Sequence, residues 1–182
     1  MEHWDGRDRD CDDFVDKLTD RDSDQKWSGN AAVLDGLLGY GAAYLGELNN
    51  NGSQHIAVSG YGYSILNADN QETLGFYGST YLLDLGQGDG EMSMVSTASV
   101  KPAVEEYHGF DSASLGDLDG DGLMELVVGV PGYNNFEGKA EFYSGSTLQA
   151  GGSLLPDANL YGNDLAGVDV ANLGDIDNDG YD

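Results

Sequence analysis

Basic residues are scarce in this chain. Lys and Arg number 7 against 33 Asp and Glu, which gives a formal charge of −26 and a pI near 4.1. A field of that sign repels nucleic acid and anionic membrane surfaces, and it attracts divalent cations. Cysteine occurs once, at Cys11, which excludes an internal disulfide. No apolar run reaches the length of a membrane span, so no membrane insertion is expected in this segment. His3, His55 and His108 stand apart from any nucleophile motif. There is no G-x-S-x-G, H-E-x-x-H or Walker pattern, and no G-x-G-x-x-G between a strand and a helix. The Gly86-Gln87-Gly88-Asp89-Gly90 stretch has no helix pattern or basic residue after it with which to cradle a phosphate. Together these absences read as a chain that is not an enzyme.

A hydrophobic fraction of 40% is too high for a disordered acidic tail. The 28 glycines and 11 tyrosines suit many short strands joined by tight turns. An acidic loop occurs twice in nearly the same form. One copy reads Asp117-Leu118-Asp119-Gly120-Asp121-Gly122-Leu123-Met124-Glu125; the other reads Asp175-Ile176-Asp177-Asn178-Asp179-Gly180-Tyr181-Asp182. Carboxylates at positions 1, 3 and 5 followed by glycine at 6 are what an oxygen-ligated calcium loop needs: alternate side chains converge, and the glycine permits the reversal that follows. Without a cation between them, such carboxylates repel one another.

A weaker copy, Glu47-Leu48-Asn49-Asn50-Asn51-Gly52-Ser53-Gln54-His55, lies upstream, so Gly52, Gly122 and Gly180 fall 70 and 58 residues apart. Matching stretches beginning at Gly39, Gly109 and Gly167 precede the three loops. Phe76-Tyr77-Gly78-Ser79-Thr80 recurs as Tyr143-Ser144-Gly145-Ser146-Thr147, and residues 82–100 read as an insertion relative to the second repeat. Buried strands are predicted over 125–130 and 55–59, with 139–143 and 74–77 as the next strands and 31–34, 101–104 and 159–161 as outer ones. No segment shows helical periodicity. Four-strand units in tandem predict an all-β chain built as a partial β-propeller of about two and a half blades. Residues 1–27, rich in Asp and with little apolar pattern, are set apart from a repeat region over 28–182.

The stretch from Gly109-Phe110 through the acidic loop to Val128-Gly129-Val130-Pro131 resembles an FG-GAP repeat of the integrin α-subunit propeller type. The resemblance covers roughly residues 30–182, degenerate in the first repeat and interrupted at Asp182 in the third. It implies blades of a closed propeller with calcium loops on one face. The implied ligands are Asp117, Asp119, Asp121, the carbonyl of Leu123 and Glu125 in the second repeat, and Asp175, Asp177, Asp179 and the carbonyl of Tyr181 in the third. In the first repeat Glu47, Asn49, Asn51 and His55 make a poor hard-cation cage, so that loop reads as a structural hairpin turned by Asn51-Gly52. An EF-hand needs an acidic ligand at position 12, where this chain has Val128 in an apolar run, and it is excluded.

Residues 2–16 resemble an Asp/Cys-rich metal-binding repeat of bacterial surface proteins, with Trp4 in place of its first cysteine. That segment reads either as a metal-binding motif or as an acidic linker. The resemblances imply a calcium-binding module of a secreted or cell-surface protein, acting in adhesion or in recognition of a protein or carbohydrate. The alternative is an accessory propeller of an extracellular enzyme of the polysaccharide lyase or phospholipase type. Because the third loop stops before its ninth position, the chain is expected to be a piece of a longer array.

Overall fold

The structure, a computed structural model, describes residues 27–28, 38–66, 72–87, 90–91, 96–100 and 105–175. The calls on Cys11 and the Asp-rich segment, on 31–34 and 101–104, and on Asp177, Asp179 and Tyr181 lie outside these residues.

A short strand β1 (Trp27–Ser28) precedes the first repeat. That repeat contains β2 (Gly41–Gly46), β3 (His55–Gly60), a hairpin of β4 (Tyr63–Leu66) and β5 (Glu72–Gly75), β6 (Ser79–Asp84), β7 (Gly90–Glu91) and β8 (Ala98–Val100). The second contains β9 (Ser112–Ser114), β10 (Leu126–Val130), a single turn α1 (Tyr133–Phe136), β11 (Lys139–Tyr143), the short helix α2 (Gly145–Ala150), β12 (Gly152–Ser153) and β13 (Ala158–Tyr161). Each repeat forms an antiparallel four-stranded meander. The first runs β2-β3-β6-β8 and the second β9-β10-β11-β13. β12 leaves the second repeat and pairs in parallel with β8 at the outer edge of the first sheet.

The strands form where β-branched and aliphatic residues run together, and β6 and β10 are buried along their whole length. The main core lies between the sheets. Leu45, Ala57 and Leu82 of the first meet Leu126, Val128 and Tyr143 of the second, with Leu48, Leu148 and Leu154 closing the ends. Val58, Tyr81 and Leu83 form a smaller cluster on the opposite face of the first sheet. The inner strands β2 and β9 stand side by side without pairing, and Ser59 Oγ lies 3.1 Å from Ser112 Oγ across that junction.

Glycine sets the junction between repeats. Gly109 has φ +78, and a Cβ there would lie 2.9 Å from both Ser59 Cβ and the Ser79 carbonyl oxygen. Gly167, at φ +87, sits in the same way on the second sheet, where a Cβ would lie 2.9 Å from the Val130 nitrogen and 3.1 Å from Gly129 Cα. Any side chain would hold the repeats apart. The same junction thus occurs twice in succession, and the Gly78–His108 bridge of the first recurs as the Gly138–Ala166 bridge of the second. Residues 162–175 carry no strand, because the counterpart of β9 has no pairing partner among the described residues. Among the described residues two sheets of four or more strands are present.

Register corrects two sequence readings. Ile56 pairs with Leu83 as Leu126 pairs with Tyr143, so β6, not residues 74–77, is the counterpart of β11. The 76–80 and 143–147 likeness therefore joins the start of one strand to the end of another. Both stretches need small and hydroxyl residues, one to enter β6 after Gly78, the other to cap α2 through Ser144, whose side chain accepts from Thr147 N. The insertion is not at 82–100. It is the β4–β5 hairpin, which stands where the second repeat has only the turn at 131–137.

Candidate metal centre

The acidic loop joins β9 to β10, and its base is closed by backbone hydrogen bonds, Leu115 N to Glu125 O at 2.9 Å and Glu125 N to Gly116 O at 2.8 Å. Within it the carboxylates shape the backbone that carries them. Asp117 Oδ1 accepts from Gly120 N at 2.8 Å and Oδ2 from Gly122 N at 2.9 Å. Asp119 Oδ1 accepts from Asp121 N at 3.0 Å, and Asp121 Oδ1 accepts from Leu123 N at 2.8 Å. These bonds satisfy amides that the tight turn leaves without strand partners. They also aim the three acids at one point: Asp117, Asp119 and Asp121 each bring an oxygen within 4.8 Å of the others. Asp119 and Asp121 are exposed, while Asp117 is half-buried.

An all-oxygen set of this kind suits a hard cation such as calcium rather than zinc or copper. Each carboxylate oxygen retains a lone pair beyond the amide it accepts from, and Asp119 and Asp121 each have a second oxygen. The residues therefore fit the ion that the loop pattern implies.

Glu125 is not one of the three converging acids. It is 1% exposed, with Oε2 accepting from Leu118 N at 2.6 Å and Oε1 from Gly145 N at 3.0 Å. Its carboxylate ties the second loop position to the N-terminal turn of α2. Sequence spacing located Glu125 but could not show this link, because Gly145 lies 20 residues away.

The first-repeat loop keeps three of these bonds with other chemistry. Glu47 Oε1 accepts from Gly52 N at 2.6 Å, as Asp117 does from Gly122. Asn51 Oδ1 accepts from Ser53 N at 2.9 Å, as Asp121 does from Leu123. His55, fully buried, receives Leu48 N at Nδ1 at 3.5 Å, in the role Glu125 plays for Leu118. The Asn49 amide lies 3.2 Å from its Nε2. The hairpin is retained while the acidic cluster is absent.

A buried polar cluster joins the sheets away from the loops. Thr80 Oγ1 lies 3.1 Å from His108 Nε2, and His108 Nδ1 lies 3.3 Å from Glu141 Oε2. Tyr143 Oη donates to Glu141 Oε2 at 2.6 Å, and Lys139 Nζ stands 2.8 Å from Glu141 Oε1. Burial by itself would raise the Glu141 carboxyl. The contacts with His108, Lys139 and Tyr143 outweigh it and hold the group at about 2. Burial and the same carboxylate push the Tyr143 phenol up.

Position 12 counted from Asp117 is Val128, inside β10, and no helix flanks the loop, so the geometry is that of a β-hairpin rather than an EF-hand. Among the described residues no helix is long and apolar enough to cross a membrane. The family model of the FG-GAP repeat matches residues 110–146, which run from Phe110 through the acidic loop, β10 and β11 into α2. With its acidic hairpin, its buried strand ending at Pro131 and its glycine junction, this stretch of the chain is an FG-GAP repeat.

Proposed function

We propose that the chain is part of a calcium-binding β-propeller module of a secreted or cell-surface protein, acting without catalysis in adhesion or in recognition of a protein or carbohydrate. The carrying observation is the convergence of Asp117, Asp119 and Asp121 in the hairpin of a matched FG-GAP repeat. Each four-stranded meander is one blade, and the twice-repeated glycine junction supports a radial stack of such blades. Calcium at this hairpin neutralises repulsion among three acids and fixes the β9–β10 connection. The Leu123 carbonyl completes the set, and the third-repeat loop from Asp175 to Tyr181 supplies a second site.

Calcium titration by calorimetry tests this reading. Saturable binding near about 10⁻⁴ M is expected. Asp119→Ala should remove one site and leave the circular dichroism unchanged. Absence of a calcium heat, or an undiminished one in Asp119→Ala, would sink it.

A further inference from the structure

We propose that Asn51-Gly52, at the tip of the first-repeat hairpin, is a self-modifying site. The Gly52 amide attacks the Asn51 side chain with Glu47 as its base, and the asparagine becomes an acid. This chemistry is independent of calcium. Asn51-Gly52 is the one Asn-Gly pair in the sequence. It lies between β2 and β3, where both residues are exposed. Glycine leaves its own amide unshielded, and a Cβ built on Gly52 would meet no heavy atom within 4 Å. A cavity of ≈ 370 Å³ lined by Asn51, Gly52, Ser53, Gln54, Leu85 and Gly86 lies beside the pair and is roomy enough for water.

Two contacts equip the pair for this reaction, and a third fixes them. Gly52 N donates to Glu47 Oε1 at 2.6 Å, so a carboxylate already holds the proton that must leave when the nitrogen attacks. Ser53 N donates to Asn51 Oδ1 at 2.9 Å. That bond polarises the side-chain carbonyl and meets the negative charge that develops on its oxygen. Ser53 is itself anchored, because its hydroxyl donates to Asp84 Oδ1 and accepts from Gly86 N at 2.8 Å. Base, nucleophile, electrophile and oxyanion donor are thus assembled before the reaction begins.

The Gly52 nitrogen forms a bond to Asn51 Cγ as its proton passes to Glu47. The tetrahedral intermediate collapses by breaking the Cγ–Nδ2 bond. Nδ2 departs with the electron pair, takes the proton from Glu47 and leaves as ammonia. The resulting succinimide adds one water and opens at either carbonyl, giving aspartate or isoaspartate at position 51. Water enters and ammonia leaves, with no oxidant or reductant. The product adds one negative charge to a chain of −26, at the fifth position of the loop. The acidic loop supplies the contrast. Gly122 N donates to Asp117 Oδ2 at 2.9 Å and Leu123 N to Asp121 Oδ1 at 2.8 Å, the same arrangement. There the group under attack is an anionic carboxylate, which resists a nucleophile, so of the two loops it is the first that reacts.

The test is incubation of the 182-residue protein in neutral buffer beside a synthetic peptide of residues 47–55, with peptide mapping by mass spectrometry at intervals. The folded chain is expected to acquire the amide-to-acid mass gain at Asn51 roughly tenfold faster than the peptide, which has the same residues without the fixed contacts. Glu47→Gln keeps an acceptor for the Gly52 amide but no base, and it should slow the folded rate roughly tenfold. In heavy-oxygen water the products should carry one solvent oxygen and include isoaspartate, which the succinimide gives and direct hydrolysis does not. A folded rate at or below that of the peptide, an unchanged rate in Glu47→Gln, or aspartate without isoaspartate would overturn the proposal. The comparison with the peptide needs no variant, so it decides the matter even where Glu47→Gln loosens the hairpin.

Discussion

Two hairpins of one length, in equivalent places on adjacent sheets, solve the same backbone problem with different chemistry. In the 117–125 loop the amides of Leu118, Gly120, Asp121, Gly122 and Leu123 are met by carboxylates, and a buried glutamate closes the base. In the 47–55 loop an asparagine and a buried histidine take over two of those roles, and one glutamate remains. Backbone satisfaction is therefore separable from cation affinity: the first needs an acceptor of any kind at positions 1, 5 and 9, whereas the second needs negative charge at 1, 3 and 5.

The sheets differ in the same sense. The register position that holds Tyr81 opposite Val58 in the first sheet holds Glu141 opposite Val128 in the second. The second sheet thus carries its acids at both the loop and the core.

The sharpest way to break this comparison is at position 9. Glu125→Ala strands two amides in a buried site and is expected to cost about 3 kcal/mol, while His55→Ala, which releases the long Leu48 contact and the Asn49 amide and leaves a cavity, should cost about 2 kcal/mol. Denaturant midpoints at unchanged slope measure both, and an equal or smaller loss in Glu125→Ala would refute the role given to its carboxylate.

Acid should act through the second sheet. Glu141 is held at about 2, below its ordinary 4.5, so its contribution is fully present above pH 4.5 and is lost as pH falls toward 2. The stability at stake across that window is about 3 kcal/mol or less. Glu141→Gln should flatten the stability curve there, and an unchanged slope in that variant would contradict the assignment.

Calcium comes next in size. At tenfold excess over the dissociation constant one site adds about 1.4 kcal/mol, visible as a raised melting midpoint that chelator reverses. In Asp119→Ala that contribution should vanish, whereas Asn49→Ala should leave the calcium response as it was. The smallest effect is a transplant. Asn49→Asp with Asn51→Asp gives the first loop the acids of the second. It should cost about 0.5 kcal/mol in chelator through like-charge repulsion and recover that much or more in calcium. Calorimetry should then count one additional site.

Much of this was legible in the chain. The buried strands β3 and β10 announce themselves as short aliphatic runs, and the acid spacing names the triad because alternate residues of a turn converge. Local pattern could not resolve which repeats align outside the loops. The words Gly-Ser-Thr at 78–80 and 145–147 answer to different needs, a strand entry and a helix cap, and only pairing register separates them. The helix α2 escaped notice because six residues give too few turns for periodicity, although Ser144 with Thr147 three positions on is a cap signal. The tether from Glu125 to Gly145 and the contact of His108 with Glu141 depend on chain segments 20 and more residues apart, which spacing arguments do not reach.

The excursion of β12 has a consequence for self-association. An outermost strand with free amides and carbonyls is a template on which another chain can polymerise. Here β8 is occupied: Gly152 N bonds to Thr97 O at 2.9 Å and Leu154 N to Ser99 O at 3.0 Å, so a piece of the second repeat sheathes the rim of the first. The second repeat thereby passivates the first. Among the described residues the outer side of β13 carries no such sheath, which leaves that edge open to strand addition.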